Sequence, residues 1–373
     1  MRSLIALKML LYDRSTTIGS VIGVVAIVFL VGQQLTVLFG LFNYMSVLAD
    51  HSRADIWICS ANTENINSSG LIPDRYLDRV KALPAVSWAE PLLYGGASFK
   101  KQNGQNEAVQ VIGLRNPARA AGPWNFYQGS TEGFLEADGI TLEYLDLRFY
   151  GNPKLNDMCE INDVRAKITA ITRGSKGFSG RMVYTNLVKA REILNTPPGR
   201  CRAILVKLNA GAAIPEAVRE MAALLPSARV VSAKTLSTET RMYYIRNTGM
   251  GGSFGFSTLV GALVGVIIIT LTMYTGVLQR QKDFAVLRAL GARKKDIFII
   301  VLSQSVIIGL VGLFVGFFLL AGFLSATFES PLPSYLPRQV APLLAFGTLA
   351  LCIGGSLLAM RKAISVEPAS VFR

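Results

Sequence analysis

The chain holds one histidine, His51, and four cysteines in 373 residues. A two-histidine metal site is therefore impossible within one copy. A Ser/His/Asp triad would have to use His51, and no nucleophile-elbow motif accompanies it. Beside Asp50, His51 reads as a surface or interfacial residue. No G-x-x-x-x-G-K-S/T phosphate loop occurs, so any nucleotide that powers this protein is bound by another chain. The glycine-rich, basic stretch at residues 173–180 (RGSKGFSG) has the wrong spacing and reads as a turn between strands. Glycoside cleavage needs two opposed carboxylates. Glu132, Glu136 and Asp138, or Glu143 and Asp146, are nearby acids of an ordinary solvated kind. Cysteine spacing matches no zinc pattern. Cys352 reads as a small core residue, while Cys59, Cys159 and Cys201 allow three single pairings among which sequence does not choose.

Charge is also scarce, at 17% of residues against about 25% in soluble domains. Hydrophobic residues make up 51%, and mean hydropathy is +0.40. Four runs, near residues 18–45, 254–278, 297–323 and 340–360, are long enough to cross a hydrocarbon core, which takes about 20 helical residues. The first is too long for a signal-peptide core and reads as a retained span. Its Gln33 and Gln34 are expected to face other helices and hydrogen-bond there. None of the runs carries a mid-span Asp, Glu, Lys or Arg, which argues against an ion-coupled carrier. Four spans per chain make a poor channel alone, so a homodimer is the simpler architecture.

The net charge of +14 is concentrated beside the spans. Segments 1–17, 279–296 and 361–373 hold twelve Lys/Arg against four acids, Asp13, Asp283, Asp296 and Glu367. Short basic loops stay in the cytoplasm, which places both termini and the middle loop inside and residues 46–252 outside. Lipid and orientation explain this excess, and without a nucleic-acid module no nucleic-acid partner is implied. The expected organisation is a cytosolic amphipathic helix (1–17), a first span (18–45), a periplasmic α+β domain with stalk helices (46–252), a second span (253–278), a cytosolic loop helix (279–296), a third span (297–325), a short periplasmic loop (326–339), a fourth span (340–360) and a cytosolic tail (361–373).

Within the inserted domain, residues 55–59, 108–114, 166–172 and 203–208 read as strands. Residues 73–83, 186–194 and 215–225 read as helices, the first stopped by Pro84 and the last opened by Pro215. Residues 237–248 read as a helix leading toward the second span, matched by the end of the first run near 42–48 as a stalk. Gly249, Gly251 and Gly252 would loosen that junction.

The most informative stretch lies between the second and third spans. In residues 281–290, Phe284, Leu287 and Leu290 recur on one side, with Ala285 and Val286 filling part of it. Gly291 ends the helix as a left-handed cap would. A helix of this kind either rests on lipid or docks a cytosolic partner. The sequence QKDFAVLRALGARKKDI resembles the signature of the MacB/FtsX family of ABC-transporter permeases. The tail ISVEPASVFR, the amphipathic opening at 3–11, the stretch VKALPAVSWAEPLL at 80–93 and the order of one span, a large domain and three spans are similar too, and the closest likeness is to the DevC-like group. Many members have glutamate where Asp283 stands, which preserves the charge.

That resemblance implies a fold of four transmembrane helices per chain with a large extracytoplasmic α+β domain between the first two. It implies a homodimer in the bacterial inner membrane, working with a dimer of separate ABC ATPase subunits that bind ATP and magnesium. This chain would carry no cofactor and no catalysis of its own. Asp283, Phe284, Leu287, Arg288, Gly291 and Ala292 would form the ATPase contact. The spans would act as levers, driving export with a periplasmic adaptor of the membrane-fusion type. The alternatives are a permease that signals to a periplasmic hydrolase, and one that releases lipoproteins.

Overall fold

The computed structural model of the protein describes residues 2–116, 120–134, 136–178, 180–279, 281–328, 330 and 332–365. In chain order come α1 (Arg2–Tyr12), α2 (Arg14–Asp50), β1 (Ile56–Ser60), β2 (Ile72–Pro73), α3 (Tyr76–Lys81), β3 (Val86–Lys100), β4 (Asn106–Leu114), β5 (Phe126–Gly129), α4 (Thr131–Phe134), β6 (Gly139–Glu143), β7 (Met158–Ile161) and β8 (Val164–Thr172). They are followed by β9 (Arg181–Asn186), α5 (Leu187–Ile193), β10 (Arg200–Cys201), β11 (Ala203–Leu208), α6 (Ile214–Leu224), β12 (Ala228–Ser232), α7 (Ala233–Asn247), α8 (Met250–Gln279), α9 (Gln281–Ala289), α10 (Lys294–Phe328) and α11 (Val340–Ser365). The chain forms two compact units, Met1–Gly40 with Gly252–Arg373, and Leu41–Gly251.

The first unit is a bundle built on α2, α8, α10 and α11, four helices long and apolar enough to span a membrane. Glycines set their spacing. A Cβ on Gly265 of α8 would lie 2.5 Å from Ile27, and one on Gly23 of α2 would lie 2.8 Å from Ile268. These pairings run in opposite directions along the two chains, so α2 and α8 are antiparallel. Gly312 and Gly316 of α10 meet Val24 and Val28 of α2 in the same order, at 2.5 and 2.7 Å, so those helices are parallel. Small residues at such crossings let backbones approach closely where lipid supplies no hydrophobic drive. Buried polar side chains in the spanning helices include Ser20, Thr36, Gln304, Ser305, Thr348 and Ser356, all neutral. Gln33 and Gln34 are half-buried.

The second unit is a ten-stranded mixed sheet in the order β12-β1-β11-β3-β4-β9-β6-β8-β5, with β7 pairing β3 and β8. Among the described residues, only β4–β9 and β6–β8 pair in parallel. Both faces are buried, which follows from the period-two pattern of the strands. Ile56 and Ile58 of β1 join Val109, Val111, Ile204 and Val206 in a core that also takes Leu77 and Val80 of α3, Ile193 of α5 and Met221 of α6. Trp57 and Cys59 point the other way, to Tyr94, Tyr184 and Leu205, and this second core receives Val47–Ala49 of α2 and Leu236 of α7. Asn186 caps α5 by accepting from the Lys189 N–H, and Ser232 caps α7 through the Thr235 N–H. His51 is exposed, stacks on Trp124 at 4.0 Å and contacts the Val47 carbonyl, a structural setting. The four cysteines are free, and burial pushes the Cys59 thiol up to about 12.

Placing leucine at Gly312 forces a side chain into Val24. Gly312→Leu is expected to lower the thermal midpoint of the detergent-solubilised protein, at a cost of about 1–3 kcal/mol, whereas Gly322→Leu, which meets no atom within 4 Å at its Cβ, is expected to leave it nearly unchanged. Equal midpoints would contradict this helix packing.

Candidate functional site

The helix directions bring α1, α9 and the start of α10 to one end of the bundle. Thr16 at the start of α2 donates a hydrogen bond to Gln279 at the end of α8, which fixes that end. Asp13 separates α1 from α2, and its carboxylate accepts from the Thr16 N–H at 3.3 Å. α1 is therefore a separate helix lying against α10.

α9 has two distinct faces. Phe284 and Ala285 are each 1% exposed. Phe284 sits in one buried cluster with Ala6 and Leu10 of α1 and Ile297, Ile300 and Val301 of α10, with Leu287 and Met9 half-buried against it. On the other face Lys282, Asp283, Val286, Ala289 and Leu290 are exposed, Leu290 at 80%. Asp283, Val286 and Leu290 follow an i, i+3, i+7 spacing and share one side. The expectation that Phe284, Leu287 and Leu290 share a side is thus corrected. Leu290 lies at the helix end and points outward, and Phe284 is covered by α1 and α10.

The turn after α9 is built as the sequence suggests. Gly291 has φ +96°, and the Ala292 N–H reaches back to the Leu287 carbonyl at 3.0 Å. That is a Schellman closure, in which glycine supplies the left-handed residue. Asp296 then accepts from the Arg293 N–H at 2.9 Å and opens α10. Gly291 and half-buried Ala292 shape the turn, while the Arg288 side chain lies outside the described residues.

Three of the acids weighed as catalytic pairs, Glu136, Asp138 and Glu143, have structural partners. Glu136 pairs with Lys167 at 3.0 Å and Asp138 with Lys189 at 2.8 Å. Fully buried Glu143 accepts from the Gly174 and Ser175 N–H groups.

Two family models match this architecture, the MacB-like periplasmic core domain over residues 15–224 and the FtsX-like permease C-terminal over residues 255–368. The chain belongs to the MacB/FtsX family of ABC transporter permeases. It is 25% identical over 326 residues to an uncharacterized ABC transporter permease of Methanocaldococcus jannaschii, a match covering 81% of this chain and 77% of that relative. An uncharacterized ABC transporter permease protein of Mycobacterium tuberculosis is 36% identical over 55 residues, 15% of this chain and 6% of that protein. Among solved structures, the periplasmic region of MacB from Actinobacillus actinomycetemcomitans matches at TM-score 0.40 and 12% identity, covering 50% of this chain and 91% of that one. The extracellular domain of the noncanonic ABC-type transporter YknZ from Gram-positive bacteria matches at TM-score 0.37 and 9% identity, covering 48% and 98%. At those scores the likeness adds nothing to the assignment that the family models make. As a member, the permease is a multi-pass membrane protein whose family implies an ATPase partner.

Phe284 anchors α9 to α1 and α10. Phe284→Ala is expected to destabilise the permease by about 3–5 kcal/mol, seen as a lower thermal midpoint with no ATPase subunit present. An unchanged midpoint would show that the ring is not held inside.

Proposed function

We propose that this permease receives force from a separate ATPase through the outward face of α9 and passes it to the inserted domain. A dimer of ATPase subunits would bind ATP and magnesium, and two permease copies would sit in the bacterial inner membrane with both termini cytoplasmic. The inserted domain would work with a periplasmic adaptor to drive export, without substrate crossing between the spans.

The observation that carries this reading is the division of α9 into an anchored and a free face. Phe284 shares a buried cluster with residues of α1 and α10. Displacement of α9 would therefore move α10 along with it. The free face mixes Lys282 and Asp283 with Val286, Ala289 and Leu290. A helix that rests on lipid presents an unbroken apolar stripe outward, whereas this mixture suits a protein groove. The ATPase contact then moves from Phe284 to Val286 and Leu290, with Asp283 beside them.

Each apolar side chain buried in a groove contributes roughly 1.5–3 kcal/mol, and each 1.4 kcal/mol is about tenfold in affinity. Leu290→Asp and Val286→Asp are each expected to weaken co-purification of the ATPase subunit at least about tenfold while the permease keeps its wild-type thermal midpoint. Wild-type recovery of the ATPase with both variants would overturn the assignment.

A further inference from the structure

The stretch at residues 173–180, which the sequence reads as a turn between strands, lies between β8 and β9, with residue 179 outside the described residues. Its contacts give it a larger part. The root of this loop is fixed to the outer half of the sheet. The Glu143 carboxylate, at the end of β6, accepts from the Gly174 N–H at 2.7 Å, the Ser175 N–H at 2.9 Å and the Thr172 hydroxyl at 3.0 Å. The Arg173 N–H donates to the Asn125 carbonyl at 2.9 Å, and the Asn125 side-chain amide donates back to the Arg173 carbonyl at 3.0 Å. Asn125 directly precedes β5, so the root grips both β5 and β6. Burial raises the Glu143 pKa and lowers that of Lys176, which faces Asp146 and Glu143. The loop donors oppose the first shift by favouring the carboxylate.

The tip of the loop lies between two helices. The Phe178 N–H donates to the Tyr44 carbonyl of α2 at 3.2 Å. The Phe178 ring meets the Tyr244 ring of α7 edge to face, with centroids 4.5 Å apart. These helices are also joined directly. Arg241 of α7 donates to the Ser46 hydroxyl at 2.8 Å and to the Asp50 carboxylate at 2.7 Å. Asn67 adds a bridge, donating to the Met45 carbonyl and to the Tyr244 hydroxyl. A change in the spacing of α2 and α7 therefore pulls on Phe178. The root of the loop is held at Glu143 and Asn125.

We propose that residues 173–178 form a transmission arm that carries relative movement of α2 and α7 to strands β5, β6, β7 and β8. The proposal rests on the force-transmission reading above and names the path that reading needs inside the inserted domain. Phe178 is a positioning residue here, because it acts through the two helices and the sheet.

The test uses the full permease with its ATPase subunit in nanodiscs, followed by hydrogen–deuterium exchange with and without a non-hydrolysable ATP analogue. In wild type, nucleotide is expected to change exchange both in α7 and in β5–β8. Phe178→Ala, whose side chain is only half-buried, is expected to keep the wild-type thermal midpoint and the α7 response while the β5–β8 response disappears. Tyr244→Ala breaks the same ring contact from the other side, together with the Asn67 bridge, and is also expected to abolish the β5–β8 response, and Phe178→Tyr is expected to restore it. A full β5–β8 response in both alanine variants would overturn the arm while leaving the transmission reading intact. A wild-type α7 that ignores nucleotide would overturn both.

Discussion

The burial of Phe284 between α1 and α10 is the contact on which the rest of the structure depends. A surface helix of nine residues has little stability of its own, because helix nucleation costs more than so short a segment returns. α9 persists because tertiary packing covers one of its faces and because Gly291 closes its end. The start of α10 shares this buried cluster, and α10 is parallel to and packed along α2 through Gly312 and Gly316.

The two chain crossings into the inserted domain differ. α2 is unbroken from Arg14 to Asp50. α7 ends at Asn247, and Gly249, at φ +71°, separates it from α8. Only glycine adopts that backbone at no steric cost. The α2 backbone is thus continuous, whereas a left-handed glycine follows α7. Arg241 joins α7 to Ser46 and Asp50 of α2.

Much of this was legible in the sequence, and the exceptions have physical causes. The four spans followed from run length, and α5 and α6 from their periodicity, with Pro215 opening the latter. Gly291 was readable because only one residue type suits its backbone. The burial of Phe284 was not, because its partners Ala6 and Leu10 stand far away in the chain. Periodicity reveals that a helix has an apolar side, not what covers it. β3 carries Pro91, Gly95 and Gly96, which weaken its strand pattern in the sequence. In the fold Pro91 lies opposite Ile204 of β11, and pairing with β4 begins only at Leu92, so the missing N–H disrupts no ladder on that side. β6 was missed because its fully buried Glu143 looks like a surface residue until its loop donors are seen.

The central claim is that the outward face of α9 meets a nucleotide-hydrolysing partner. A photo-crosslinking amino acid placed at Leu290 in the assembled complex tests it most directly, with Phe314, an exposed residue within the α10 span, as the comparison site. The account expects an adduct with the ATPase subunit from position 290 and none from position 314. Adducts from 290 that contain only lipid or the permease itself would contradict it.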